Sequence, residues 1–233
     1  MSECTGMIDF HVRNRTHQTW YKTIGNIHSS VTPLLLLHGG PGLSHHYLLP
    51  LKRLHDSFNI PLIFYDQIGT GGSSHLKDVS EDFWTYDLFM DEIDNLVVHL
   101  GIQNNFDLFG HSRGAMLAMH YVTHRESSPP LSGLRRLVLS SPAPSTALWE
   151  RSLIATLELL PRELREPLVT HEREGTIDHA EYQAALRSFD EQYLCQVKPL
   201  PEEFLTSVAV QQANPTVNMT MCVRSCVYTP HRN

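Results

Sequence analysis

The sequence predicts an α/β protein: a mostly parallel, doubly wound sheet carrying a helical cap. Three observations predict it. Short aliphatic runs alternate with amphipathic helical stretches over residues 1–144. A Gly-x-Ser-x-Gly pentapeptide stands between one such run and a helix. After residue 145 the strand signals stop and only helical ones continue. Alternating strands and helices argue for a parallel sheet covered on both faces, because each crossover lays a helix against it.

In chain order, 19–25 reads as an early strand. Residues 33–37 are a continuous aliphatic run, the mark of a strand buried on both faces, and end in the loop His38-Gly39-Gly40-Pro41-Gly42. Residues 61–65 repeat the pattern and end in Asp66-Gln67-Ile68-Gly69. Over 82–100, Leu88, Ile93, Leu96, Val97 and Leu100 recur at helical spacing, mostly on one face. Residues 106–109 read as a strand, 115–123 as a helix and 136–139 as a further strand. Four helical stretches follow, at 146–160, 162–174, 179–193 and 202–212, punctuated by Pro161, Gly175, Pro199 and Pro201. The expected organisation is a core over 1–144, a helical cap over 145–214 and a divergent tail over 215–233.

A chain of 233 residues, 41% hydrophobic and 18% charged, is long enough for one sizeable core with a small appended subdomain. Its 18 basic and 25 acidic residues give a net charge of −7 and are dispersed, without the basic stripe that nucleic acid requires. No basic stretch leads into an apolar run at the N-terminus, and no run approaches a membrane span, so a cytoplasmic protein is expected. Cys4, Cys195, Cys222 and Cys226 are too few for a disulfide framework. Cys222 and Cys226 have only His231 near them and read as ordinary thiols rather than metal ligands. The Asn-x-Thr sequons at Asn14 and Asn218 read as coincidence. No cofactor and no metal are expected. The expected partner is a small-molecule or peptide substrate, with neither nucleic acid nor membrane.

The strongest chemical signal is Gly110-His111-Ser112-Arg113-Gly114. A strand-to-helix turn of this kind is sharp, needs glycines where backbones approach, and lifts the serine oxygen above the sheet at a helix N-terminus. Ser112 is therefore the candidate nucleophile. In the second motif, His38-Gly39-Gly40-Pro41-Gly42, the glycines leave room for substrate. The N–H groups of Gly40 and Arg113 are the candidate oxyanion donors. His38 reads as a brace for this loop rather than as a general base. The third motif, Asp66 to Ser74, resembles a phosphate cradle only superficially, because no Lys-Ser/Thr pair closes it.

Together, HGGPG, D-Q-x-G-x-G-x-S and G-x-S-x-G resemble the proline iminopeptidase family of α/β-hydrolases. The resemblance extends through Leu160-Pro161, His171-Glu172, Gly175, Glu181-Tyr182, Ala185 and Phe189, which follow its tricorn-interacting-factor and amino-acid-amidase branch. It covers about residue 6 to Met221. It implies an acyl-enzyme formed by serine attack on the carbonyl beside a free amino-terminal residue. The family also supplies hydrolases to fungal secondary-metabolite and toxin pathways, so an esterase or thioesterase is the alternative.

Two departures from the family pattern are visible. Arg113 stands where many relatives carry an aromatic, which argues against a small hydrophobic proline pocket. After Met221 the pattern is lost. The resemblance places the triad acid, the triad histidine and the ammonium-holding glutamates beyond that point, and a C-terminally truncated, inert chain is a further alternative. After Ser112 the aspartates are Asp178 and Asp190 and the histidines His120, His124, His171, His179 and His231, and none stands where the family's triad order requires.

Overall fold

The computed structural model describes residues 2–77, 79–125 and 132–221. Two ten-residue strands, β1 (Glu3–Val12) and β2 (Arg15–Ile24), open the chain as an antiparallel hairpin. Arg13 and Asn14 form its two-residue turn, at φ 47° and 63°. Positive φ at both positions matches the right-handed twist of the flanking strands. β1 was not anticipated from the sequence. Only alternate residues such as Ile8 and Phe10 are buried, and polar residues interrupt the run.

β3 (Leu34–Leu37) and β4 (Leu62–Asp66) are the buried aliphatic strands that the sequence foresaw. Between them lie a 3₁₀ segment, His45–Lys52, and the short helix α1 (Arg53–Phe58). Helix α2 (Tyr86–His99) is capped by the Thr85 hydroxyl, which accepts from Leu88 N–H at 3.2 Å. β5 (Phe106–His111), α3 (Arg113–His124) and β6 (Leu134–Ser140) follow. The sheet order is β1-β2-β4-β3-β5-β6. β3 pairs parallel with both β4 and β5, and β5 with β6, whereas β2 joins β4 antiparallel.

The two-residue period of a strand divides the core. Leu35, Leu37, Ile63 and Tyr65 face one cluster, packed with Ile93, Leu96 and Val97 of α2 and Leu117, Ala118 and Tyr121 of α3. Leu34, Leu36, Leu62 and Phe64 face the other, closed by Leu48 of the 3₁₀ segment. Both faces are covered, which is why these strands read as unbroken apolar runs. β6 is different. It forms the edge of the described sheet, and Val138 and Leu139 are 48% and 37% exposed.

Helices α4 (Thr146–Glu158), α5 (Arg162–Glu174) and α6 (Ala180–Phe189) belong to a second compact unit spanning Ala143–Pro201. It has its own core of Leu157, Leu160, Leu168, Tyr182 and Ala185. Two further helices, α7 (Glu202–Ala213) and α8 (Thr216–Met221), group with the sheet. The observed division therefore differs from the boundaries read from the sequence, which put α7 in the cap and α8 in the tail. Ser207 of α7 explains the grouping: fully buried, it accepts from Tyr47 N–H at 3.0 Å and donates to Ser44 O at 3.0 Å. No helix among the described residues is long and apolar enough to cross a membrane.

Candidate active site

Ser112 sits between β5 and α3 with φ 53° and ψ −120°, a left-handed conformation unusual for a residue with a side chain. Such strain persists only where the surroundings over-determine it. Here Ser112 N–H donates to Ser140 O of β6 at 2.8 Å, and Ser112 O accepts from Ala115 and Met116 N–H at 2.9 and 3.1 Å. The flanking glycines are steric necessities. A Cβ on Gly110 would lie 2.4 Å from Gly114 O, and one on Gly114 would lie 2.3 Å from Leu37 O. Both obstacles are backbone and cannot swing away.

Because β3 and β5 are parallel neighbours, their C-terminal ends emerge side by side. The 38–42 loop and Ser112 are thereby brought together. A Cβ built on Gly39 would stand 3.0 Å from Ser112 Cβ and 2.8 Å from His111 O. Gly40 lies at φ 127°, where its missing side chain leaves space for the backbone of Gly42 and Leu43.

Polar side chains hold the loop from three directions. His38 is fully buried; its Nδ1 faces Gly39 O at 3.0 Å and its Nε2 accepts from Gln67 N–H at 3.0 Å. That pattern places the ring proton on Nδ1, and burial lowers the ring's pKa, favouring the neutral form. Tyr47 Oη accepts from Gly39 N–H at 2.6 Å and lies 3.0 Å from His111 Nδ1. Burial pushes the Tyr47 phenol up and the His111 imidazole down, so both are neutral near pH 7. Pro41 O accepts from Gln211 Nε2 at 2.8 Å and from Asn218 Nδ2 at 3.1 Å. These last contacts join residues about 170 positions apart, and no local motif announces them.

The glycine-rich turn after β4 encloses an anion of its own. Asp66 Oδ1 accepts from His45 N–H at 2.8 Å and meets His45 Nδ1 at 2.9 Å, while Oδ2 accepts from Gly72 N–H at 2.9 Å. Burial alone would raise this carboxyl, but these partners outweigh it and hold it at about 2. A turn closed around a carboxylate leaves no place for a phosphate.

Arg113 turns its guanidinium over the Tyr86 ring, 4.5 Å from the centroid, and reaches Met221 O at 3.5 Å. With Pro41, Gln67, Phe89, Val217 and others it lines a cavity of about 10 Å³, room for about one water. His120 and His124 are carried away along α3, about 12 and 18 Å beyond Ser112 at 1.5 Å per residue. Among the described residues, no histidine is hydrogen-bonded to Ser112 Oγ. His171, His179, Asp178 and Asp190 lie in the other compact unit. His231, Cys222 and Cys226 lie outside the described residues.

A strained serine between a parallel strand and a helix, beside a glycine loop from the neighbouring strand, defines a class. Residues 32–230 match the α/β hydrolase fold family, and the chain belongs to it. The chain is 35% identical over 189 residues to a proline iminopeptidase of Lactobacillus delbrueckii subsp. lactis, covering 81% of this chain and 62% of that relative. Among solved structures, VinJ is similar at 38% identity and TM-score 0.86, over 93% of this chain and 70% of VinJ. The proline iminopeptidase of Mycobacterium smegmatis is similar at 35% identity and TM-score 0.79, over 91% of this chain and 69% of that one. The chain thus spans about 62% of the length of the curated relative it matches over 189 residues.

Proposed function

We propose that this chain carries the nucleophile of a serine hydrolase that cleaves amide or peptide bonds beside a free amino terminus. The observation that carries the reading is Ser112, held at φ 53° between β5 and α3 and against the 38–42 loop. In this reading Ser112 Oγ attacks the carbonyl carbon, and its proton passes to the leaving amine. The N–H groups of Gly40 and Arg113 stabilise the oxyanion, and Gly39 is not available for this because its N–H is given to Tyr47. Water then hydrolyses the acyl-enzyme. The peptide-bond preference rests on the likeness to proline iminopeptidases.

The triad acid and base are unassigned among the described residues. Without a base, a serine hydroxyl is a weak nucleophile at neutral pH, and triad loss costs orders of magnitude in rate. With no base assigned among the described residues, a second reading is that these residues by themselves bind substrate and turn it over poorly.

The test combines a serine-directed fluorophosphonate with three substrates: an aminoacyl arylamide, its N-acetylated form and the matching ester. Labelling that Ser112→Ala abolishes, with hydrolysis only of the free-amine arylamide, supports the peptidase reading. Preference for the ester, or for the N-acetylated arylamide, overturns it. Labelling equal in wild type and Ser112→Ala removes Ser112 as the nucleophile.

A further inference from the structure

We propose that the turn joining α5 to α6 binds a divalent transition-metal ion of the borderline class, such as Zn²⁺, through His171, His179 and Glu181. The sequence suggested no metal here. One potential ligand atom from each of the three side chains lies within 4.8 Å of the others. His171 is in the last turn of α5, His179 is the N-cap of α6 and Glu181 is in its first turn. The two imidazoles stack with centroids 4.4 Å apart and planes 19° from parallel, so the rings are adjacent and binding one ion requires them to tilt toward it.

The hydrogen bonding around His171 supplies an independent reason. Its Nδ1 lies 2.7 Å from Thr176 Oγ1. In the tautomer that gives the Nδ1 proton to that hydroxyl, Nε2 is the ring nitrogen left to bind a metal. This is the arrangement that orients a metal-bound histidine, the second ring nitrogen being fixed by an outer partner. Nε2 faces Glu181 Oε2 at 3.8 Å. That is too long for a hydrogen bond, so neither atom is committed to the other. Ligand bonds of 2.0–2.1 Å in a tetrahedral site put neighbouring donors about 3.3 Å apart, so the pair needs to close by only about half an ångström. His179 Nδ1 accepts from Glu181 N–H at 3.4 Å, a bond long enough to be surrendered to a metal.

The turn is also held in shape. Gly175 ends α5 at φ 70°, Thr176 N–H donates to His171 O at 2.8 Å, and His179 N–H to Thr176 O at 3.0 Å. Gln183 Nε2 donates to Ile177 O at 2.9 Å. Beside it runs an open groove of about 500 Å³, into which Glu163 and Glu181 bring negative charge; Glu166 also lines it but is paired with Arg162 at 2.6 Å. Imidazole and carboxylate donors together suit zinc-like ions, and an acidic groove favours any cation.

The experiment is titration of the metal-free 233-residue chain with Zn²⁺ by calorimetry and with Co²⁺ by visible absorption. The expected result is one saturable equivalent of each, with the absorption of a tetrahedral cobalt complex. His171→Ala, His179→Ala or Glu181→Gln is expected to weaken it at least about tenfold. Thr176→Val, which leaves all three ligands, is expected to weaken it about tenfold by freeing the His171 ring. The Glu181 side chain is 72% exposed, so Glu181→Gln tests the site even if a histidine variant fails to fold. No saturable binding, or binding that Glu181→Gln and Thr176→Val leave unchanged, overturns the proposal. His171 and Glu181 would then be a long side-chain contact only.

Discussion

Glu92 offers a way to read the packing of the site through pH. It lies on α2, is 0% exposed, and supports the turn after β4. Its Oε1 accepts from Thr19 Oγ1 at 2.5 Å, and Ile68 N–H reaches both oxygens at 2.9 and 3.0 Å. Burial pushes the carboxyl up from the usual 4.5 to about 8, and the hydrogen bonds from Thr19 and Ile68 offset only part of that rise. The sign follows from the two protonation states. Below pH 4.5 the group is protonated both folded and unfolded and gives no pH dependence. Between 4.5 and about 8 the unfolded chain has lost the proton while the folded chain keeps it, so stability falls as pH rises. Above about 8 the loss is complete. At about 1.4 kcal/mol per pH step, it reaches up to about 5 kcal/mol, comparable with the whole stability of a small domain.

Glu92→Gln removes the titration; its amide oxygen still accepts from Ile68 N–H, and its NH₂ can donate to Thr19 Oγ1, which then accepts instead of donating. Urea unfolding of both proteins at pH 5, 6.5 and 8 is the assay. The variant is expected to be near wild type or somewhat less stable at pH 5 and clearly more stable at pH 8. Stability curves that run parallel within about 0.5 kcal/mol over that range would refute the reasoning.

Two other outcomes follow from the contacts. Replacing Gln211 and Asn218 together by Ala strips Pro41 O of both donors, at about 1 kcal/mol for each hydrogen bond, and is expected to slow fluorophosphonate labelling of Ser112 about tenfold; a change under about twofold would separate α7 and α8 from the loop's geometry. Val138→Lys on the exposed face of β6 is expected to reduce light scattering on warming while changing stability by less than about 0.5 kcal/mol, because a lysine on an edge strand opposes strand addition. Scattering equal to that of wild type would mean β6 is not the sticky edge.

The sequence by itself determined the elements whose chemistry is local. Residues 34–37 and 62–65 are buried on both faces, so their apolar runs are unbroken and legible. Gly110 and Gly114 are legible because the elbow admits no Cβ at either position, and that requirement is written in five consecutive residues. Helices α4 and α5 are legible from their proline and glycine boundaries. Strand β1 was not, since only alternate residues are buried and its pairing with β2 supplies the rest. Nor was the grouping of α7 and α8 with the sheet, which depends on Ser207 meeting Ser44 and Tyr47 and on Asn218 meeting Pro41. The same holds for the caging of Asp66 by His45, the bracing of Gly39 by Tyr47 and the convergence of His171, His179 and Glu181. A motif records what one stretch of backbone demands of its own residues. Which distant side chain satisfies a buried carbonyl, amide or carboxylate is decided only when the sheet has set the strands side by side and left those groups nowhere else to bond.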